Sequence, residues 1–334
     1  MTHRERVRTA LAHRQPDRVP YNVQFTDEAR DMMAQCCQDP DFEQRLDNSL
    51  AYLSLRKALN YREVEPDIWE DEFGVRWDQS ADKSIGVVCN RIVSPDSLDD
   101  YAFPDPHAPA RYAGIPKLIA QYPGRFTAVN YGFSLFERAW PLAGMEEMLV
   151  YMMCEPEFSH DLFDRILDFN LGLIDEVCAF DIDAMIFGDD WGQQTGLLMG
   201  VDLWREYIKP RVAQMYQRVK AHGKAVMIHS CGKVDELFPE LIEIGVDVFN
   251  PFQPEVMDVY AMKRLYGDRL SFYGGISTQQ TLPFASVSEV RREVGRLLEE
   301  VGKDGGFIAA PAHWIPRDAR PENIAAMLDV LTHQ

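Results

Sequence analysis

The chain has 334 residues, of which 46% are hydrophobic and 26% charged, a composition typical of a globular protein with a large core. Its formal net charge of −19 comes from 53 acidic and 34 basic residues, so its surface repels nucleic-acid phosphates and anionic lipids. No stretch approaches the roughly 18 uninterrupted apolar residues that a membrane span needs. Nucleic acid and membranes are therefore not expected as partners.

The first residues are polar and run into a helix-like segment without an apolar core, so no secretory signal is expected. The cysteines show no disulfide-framework spacing in so long a chain, which favours a reducing, cytoplasmic location. No internal repeat, low-complexity tract or linker divides the chain. We expect a single domain over residues 1–334.

Apolar strand-like runs alternate with amphipathic helical runs along most of the chain. The predicted strands are Val19–Phe25, Ile68–Glu72, Phe126–Asn130, Ala184–Gly188, Ala225–His229, Val246–Asn250, Leu270–Gly274 and Phe307–Ala310. The clearest predicted helices are Asp202–Ala221, Lys233–Ile244 and Val287–Val301. This alternation predicts an α/β fold, and the eight strands match one (β/α)₈ barrel. A doubly wound open sheet is the alternative, but no glycine-rich phosphate fingerprint follows the first strand.

The early part of the chain is less regular. Between the second and third predicted strands, Gly74–Ile92 has the alternation of a hairpin excursion, and the proline-rich stretch Phe103–Pro109 indicates a connecting loop.

In a barrel of this kind, chemistry occurs where the strands end. The predicted strand ends are rich in polar residues from distant parts of the sequence. They carry Glu70, Asp71, Glu72, Asn130, Tyr131, Asp189, Asp190, Gln193, His229, Cys231, Asn250, Gln253, Ser277 and His313. Polar residues are common at strand ends in any α/β protein, but this density favours a functional ring.

The most specific of these groups is the pair His229 and Cys231. Residues two apart on a strand point to the same side, and imidazole and thiolate are preferred zinc ligands. His313, after the last predicted strand, would complete a three-ligand site with an open position, as in catalytic zinc sites. The alternative is a hydrogen-bonded structural histidine and a cysteine that only packs in the core.

Asp189 and Asp190 are adjacent, so an extended backbone directs their side chains to opposite sides. We expect Asp190 to be the inward residue, serving as a general base, a hydrogen-bond acceptor for substrate or a metal ligand. The alternative is that both carboxylates stabilise a turn or cap a helix.

Several motifs, together covering nearly the whole chain, resemble the uroporphyrinogen decarboxylase superfamily. They are Arg4–Val7, Pro16–Pro20, His229–Gly232, Leu241–Asp247, Phe272–Ser277, Ala310–His313 and Arg320–Ile324. The resemblance implies a distorted (β/α)₈ barrel with a deep cleft at the carboxyl ends of the strands and an N-terminal helical and hairpin elaboration.

The superfamily contains two chemistries. Its true decarboxylases use no metal and hold an acidic tetrapyrrole with arginines of an R-Q-A-G-R segment, whereas residues 23–28 of this chain read Val-Gln-Phe-Thr-Asp-Glu. Its corrinoid-linked methyltransferases often hold zinc with a His-x-Cys pair and a late cysteine. His229 and Cys231 match that pair, and His313 replaces the late cysteine, which should make the metal a stronger Lewis acid. His313 also matches a late histidine of the decarboxylases.

The resemblance and the ring together favour a methyltransferase that uses a zinc site at the barrel mouth and a corrinoid carried by a separate partner protein. Asp190 or Glu70 would handle the proton. Small-molecule substrate would be bound by Tyr131, Trp191, Gln193 and Asn250. The sequence is compatible with a homodimer.

Two alternatives remain from the sequence. One is a metal-free decarboxylase of a carboxylated substrate, in which Asp190 stabilises a protonated intermediate and His313 places a carboxylate. The other is a binding protein without catalysis, because a fold does not fix a function.

Overall fold

The computed structural model describes residues 1–81, 83 and 85–334. The strands in chain order are β1 (Leu50–Ser54), β2 (Arg62–Glu65), β3 (Ile68–Glu70), β4 (Arg76–Asp78), β5 (Val87–Val88), β6 (Phe126–Phe133), β7 (Ala184–Gly188), β8 (Gly192–Gln193), β9 (Gly196–Leu197), β10 (Ala225–His229), β11 (Val248–Phe252), β12 (Ser271–Ile276) and β13 (Phe307–Pro311). Seven of them form a curled parallel sheet in the order β1-β6-β7-β10-β11-β12-β13.

Helices alternate with these strands. The α helices are α1 (His3–Leu11), α2 (Asp27–Cys37), α3 (Gly114–Gln121), α4 (Phe136–Ala143), α5 (Met145–Cys154), α6 (Pro156–Cys178), α7 (Gly200–Leu203), α8 (Lys209–Ala221), α9 (Phe238–Glu243), α10 (Val259–Tyr266), α11 (Thr281–Phe284), α12 (Val287–Arg296) and α13 (Pro321–Thr332). The 3₁₀ turns are Phe42–Arg45, Leu98–Asp100, Pro109–Tyr112 and Asp235–Leu237, and the π turns are Trp204–Ile208 and Leu297–Val301. Among the described residues, no helix is both long and apolar enough to cross a bilayer.

The segment of residues 19–25 closes the sheet into a barrel. Tyr21 forms a parallel bridge with Ala309 of β13, and its carbonyl accepts a hydrogen bond of 2.8 Å from Ser49 N, just before β1. The predicted strand Val19–Phe25 therefore takes the expected first position, but as isolated bridges rather than a regular strand. The fold is the predicted TIM-barrel-like α/β fold.

Two hydrophobic cores follow from the period-two alternation of the strands. The smaller core fills the barrel with side chains such as Leu50, Ala128 and Met227. The larger core lies between the sheet and the surrounding helices. In the second half of β6, this alternation turns Asn130 toward the barrel interior, where it contacts the hydroxyl of Tyr52.

The second predicted strand, Ile68–Glu72, is wrong as a barrel strand. Residues Ile68–Glu70 form β3 of a separate antiparallel sheet with the order β2-β3-β4-β5. The barrel position belongs instead to β1, which pairs in parallel with β6. Residue alternation identifies a strand but not its partner, so the sequence did not distinguish the two sheets. The predicted hairpin excursion Gly74–Ile92 contains β4 and β5, and its positions 82 and 84 lie outside the described residues.

Candidate metal site at the barrel mouth

Three potential metal ligands meet at the carboxyl end of the parallel sheet, which we call the barrel mouth. His229 is the last residue of β10, Cys231 follows two residues later, and His313 lies just beyond β13. One ligand atom from each lies within 4.8 Å of the others, and Cys231 Sγ is 3.4 Å from His229 Nε2. The predicted ligand set is thus brought together from strands far apart in sequence.

The orientation of His229 is fixed by Asn250. The Nδ1 atom of His229 lies 2.5 Å from Asn250 Oδ1, and Asn250 Nδ2 donates to the carbonyl of Tyr273 at 2.9 Å. Because the amide nitrogen is already a donor, its oxygen must accept, so His229 carries its proton on Nδ1. The lone pair of Nε2 then faces Cys231. Such a partner sets the tautomer of metal-binding histidines in general.

The backbone of Cys231 is held in place from the opposite side. Its N–H donates to Asp190 Oδ1 at 2.7 Å, and the next residue, Gly232, has a φ of +85°. A Cβ on Gly232 would lie 2.5 Å from the carbonyl carbon of Gly192. Glycine is therefore needed here both for the left-handed backbone and for the close packing against β8.

The electrostatic surroundings keep the free thiol protonated. Burial, with Asp190 and Glu137 nearby, raises the pKa of Cys231. Desolvation by the surrounding protein atoms, together with the adjacent His229, lowers the pKa of His313, which favours the neutral, metal-binding form of this partly exposed imidazole. A cation is the partner that would convert the thiol to a thiolate at neutral pH.

The donor set fits zinc. With Zn–S of about 2.3 Å and Zn–N of about 2.0 Å, sulfur and nitrogen in a tetrahedral site are about 3.5 Å apart. The observed distance of 3.4 Å between Cys231 Sγ and His229 Nε2 agrees with this value. Two imidazoles and one thiol leave a fourth position for another ligand, as in catalytic zinc sites.

The side chains of the adjacent Asp189 and Asp190 point to different surroundings, as strand alternation predicts. Asp189 is fully buried, where its Oδ1 accepts from Glu137 N at 2.7 Å and its Oδ2 from Trp191 Nε1 at 2.7 Å. It thereby caps the first turn of α4. Burial raises its pKa to about 6, against the opposing effect of these donors. Asp190 is half-buried and lies beside Cys231.

Two charged residues near the mouth were missed by the sequence reasoning. Glu137 is buried in the first turn of α4, and burial, followed by the charges of Asp190 and Asp189, raises its pKa well above the usual range. The sequence feature that could have identified Glu137 is a carboxylate within the largely apolar helix α4. Arg56 follows β1, and it escaped notice because β1 itself was not predicted.

The predicted substrate-binding residues occupy different environments. Asn250 lies at the mouth against His229, and the exposed Gln193 lies on β8, whose backbone packs against the loop after Cys231. Tyr131 instead lies in the outer core, with its ring 6.4 Å from that of Phe169.

Trp191 is likewise a core residue in the structure. It is fully buried, donates from its indole to Asp189, and packs edge-on against Trp204 with ring centroids 5.4 Å apart. Its side chain therefore supports the loop after β7 rather than forming an open wall of the cleft.

Glu70 is not brought to the metal ligands. It lies on β3, where its carboxylate is 2.9 Å from Arg62 Nη2 and 3.2 Å from Arg76 Nε. These two arginines lower the pKa of Glu70. The expectation that Glu70 handles a proton rested on assigning Ile68–Glu72 to the barrel, and that assignment was wrong.

The chain is similar in sequence and in fold to several known proteins. The model of the family described as uroporphyrinogen decarboxylase (URO-D) matches residues 70–333. A methylated-thiol–coenzyme M methyltransferase of Methanosarcina mazei is 20% identical over 199 residues, which cover 60% of this chain and 51% of the relative. A uroporphyrinogen decarboxylase of Methylococcus capsulatus is 24% identical over 253 residues, covering 72% of this chain and 70% of the relative.

A methylcobamide:CoM methyltransferase, MtaA, of Methanosarcina barkeri is 23% identical over 173 residues, covering 50% of this chain and 48% of the relative. The chain thus spans about half the length of the two curated methyltransferases in these matches. A solved structure of a methyltransferase from Methanosarcina mazei superposes with a TM-score of 0.75 at 15% identity, covering 99% of this chain and 98% of that one. This likeness confirms the fold.

The relatives include both methyltransferases and decarboxylases, so they support an enzyme and leave its reaction to be decided at the site. The resemblance seen in the sequence motifs is confirmed by the family match. The chain belongs to the uroporphyrinogen decarboxylase family.

Proposed function

We propose that this protein is a corrinoid-protein-dependent methyltransferase with zinc at the barrel mouth. The observation that carries the proposal is the convergence of His229, Cys231 and His313, whose ligand atoms lie within 4.8 Å of one another. The two relatives named as methyltransferases of coenzyme M support the reaction class. The corrinoid would be carried by a separate partner protein. The six cysteines are free, which supports the expected cytoplasmic location.

His229, Cys231 and His313 would hold the metal. When bound, zinc would supply a Lewis acid for an oxygen or sulfur atom of the substrate. Asn250 would keep His229 Nε2 directed at the metal, and Asp190 would keep the Cys231 backbone in place. Both supports come from neighbouring strand ends, so the ligand geometry would be set before substrate arrives.

The proton balance of methyl transfer requires a group that exchanges protons at the mouth. Removing a methyl group from an ether oxygen leaves an alkoxide that takes up one proton, and methylating a thiol releases one. We assign this exchange to Asp190, which lies beside Cys231. Burial and the charge of Asp190 raise the pKa of Glu137, which interacts electrostatically with both Asp190 and Cys231.

A metal-free decarboxylase is the second candidate. The uroporphyrinogen decarboxylase relative matches a longer segment than either methyltransferase relative, and His313 and Asp190 also occur together at this mouth. That function would make Asp190 the group that stabilises a protonated intermediate. It would leave the hydrogen-bonded orientation of His229 Nε2 toward Cys231 without a role, so we rank it second.

Metal content separates the two candidates. We expect about one zinc per chain in the purified protein, loss of that zinc in Cys231→Ala, and full retention in the control Cys154→Ala, which removes an exposed cysteine. The zinc-loaded protein should then transfer methyl from free methylcobalamin to a thiol, and Cys231→Ala should not. Absence of zinc after reconstitution would refute the proposal and favour decarboxylation.

A further inference from the structure

Arg56 lies at the carboxyl end of β1, near the rim of the barrel. Its stem packs beside Gly132 at the end of β6, where a Cβ would be 3.6 Å from Arg56 Cβ. Its guanidinium carbon lies 4.4 Å from the ring centroid of Phe133 and 5.2 Å from that of Trp77. Stacking on two rings fixes the guanidinium plane and leaves its N–H edge for other partners.

This cation lacks a carboxylate partner within the described parts of the chain, residues 1–81, 83 and 85–334. Its guanidinium reaches the carbonyl of Ile85 only at 3.5 Å, the limit of a hydrogen bond. Neighbouring arginines differ, since Arg138 pairs with Asp71 at 2.9 Å and Arg111 pairs with Glu72. A half-buried arginine keeps its charge, so an unpaired one is a ready site for an anion.

The negative net charge of the chain makes a cationic site important for binding an anion. A net charge of −19 repels small anions from the surface. Arg56 packs beside Gly132 of β6, the end of β6 pairs with Phe187 and Gly188 of β7, and Gly188 pairs with His229 of β10, so the cation lies at the same end of the sheet as the metal ligands. An anion entering the cleft would find attraction at Arg56.

We propose that Arg56 binds a carboxylate or sulfonate group of the substrate, and that the substrate is an extended organic anion. The identity of the bound molecule as substrate rests on the function proposed above, since its other end would reach His229, Cys231 and His313. In the sheet order, β1 is three positions from β10. That backbone separation is on the order of 14 Å along the rim, so we infer a substrate long enough to reach across part of the mouth.

This proposal is tested by measuring the equilibrium binding of three small molecules that share a methoxybenzene ring. The probes are meta-methoxybenzoate, meta-methoxybenzenesulfonate and the neutral meta-methoxybenzamide, and the reporter is the intrinsic tryptophan fluorescence, to which Trp77 beside Arg56 contributes. Titrations use the full chain in both zinc-loaded and metal-free forms. Variants are Arg56→Gln, Arg56→Lys and the control Arg292→Gln, which removes the same charge from an exposed position on α12.

We expect the wild type to bind at least one of the two anions roughly ten- to hundredfold more tightly than the amide, as a charge-assisted bidentate contact predicts. Comparing the two anions shows whether carboxylate or sulfonate is preferred. Arg56→Gln should lose this preference, Arg56→Lys should keep part of it, and Arg292→Gln should keep it fully. No anion preference in the wild type, or an unchanged preference in Arg56→Gln, would overturn the proposal.

The two proposals fail in different ways. Anion preference in a protein that binds no zinc would refute the methyltransferase proposal and leave the role of Arg56 in anion binding standing. Zinc binding without any anion preference would refute the role of Arg56 in anion binding and leave the methyltransferase proposal standing. If Arg56→Gln does not fold, Arg56→Lys decides: partial or complete loss of the preference in the folded variant would support the proposed guanidinium contact, and a fully unchanged preference would overturn it.

Discussion

The two sides of the barrel mouth are built on different principles. On the ligand side, His229, Cys231 and His313 are half-buried or exposed, and their metal-binding atoms face one another. On the carboxylate side, Asp189 and Glu137 are buried around the first turn of α4. The ligand side therefore has unused binding capacity, whereas the carboxylate side uses its hydrogen-bonding capacity to fix the backbone.

Asp190 joins the two sides. It follows Asp189 in the chain, yet its carboxylate accepts from the backbone of Cys231 on the ligand side. Changes on the carboxylate side should therefore alter stability, and changes on the ligand side should alter metal binding.

The largest expected effect is on stability, in Asp189→Ala. The substitution leaves the Glu137 amide and the Trp191 indole, each bonded at 2.7 Å, without a buried acceptor. We expect a loss of about 4 kcal/mol in the free energy of unfolding, measured by urea denaturation at neutral pH. The matched control Asp190→Ala should lose only about 1 kcal/mol. Equal losses in the two variants would contradict the assigned division of roles.

The pH dependence of stability gives the next largest effect. The pKa of Asp189 rises from 3.8 to about 6 on folding, so the folded state binds this proton more tightly. Its contribution is fully present below pH 4 and is lost as the pH rises through about 6. Relative to Asp189→Asn, the wild type should lose up to about 3 kcal/mol over that interval. Parallel stability curves for the two proteins between pH 4 and 7 would refute the shift.

A smaller effect, on the ligand side, is expected for Asn250→Ala. Without Asn250 Oδ1, the ring of His229 loses the partner that directs Nε2 toward Cys231. Zinc affinity should fall roughly 10- to 100-fold, measured by competition with a chelator. The control Asn90→Ala removes a side-chain amide of the same kind that bonds Arg76 N and the carbonyl of Gly74, beside the antiparallel sheet. Equal zinc affinity in both variants would show that Asn250 does not support the ligand.

The ligand side could be predicted from the sequence because two of its three residues are close together in the chain. His229 and Cys231 are two residues apart at the end of an apolar run, so strand alternation alone predicts that they share a side. His313 needed the further assumption that all strand ends meet at one edge, and that assumption holds for a barrel. The predicted strand Ala184–Gly188 likewise matches β7 because it is short, apolar and buried throughout.

The carboxylate side and Arg56 could not be predicted from the sequence, for physical reasons. Nothing in the sequence near Glu137 reveals that Asp189, 52 residues later, caps its helix. Arg56 depends on β1, whose central residues Ala51-Tyr52-Leu53 lack the β-branched side chains that mark strands. Tyr131 lies at the irregularity of β6 between Asn130 and Gly132, and its side chain packs in the outer core, away from the inward Asn130.

The smallest effect is expected for Glu70→Gln, which separates the antiparallel sheet from the mouth. As a proton-transfer group, Glu70 would be needed for catalysis, and its loss would lower the rate of methyl transfer roughly 100-fold or more. The structure instead pairs it with the partly exposed Arg62 and Arg76, and such surface pairs contribute less than about 1 kcal/mol. We therefore expect unchanged zinc content, an unchanged rate with methylcobalamin, and a small loss in the free energy of unfolding. A large fall in rate with normal zinc would mean that the antiparallel sheet folds over the mouth during the reaction and brings Glu70 to the substrate.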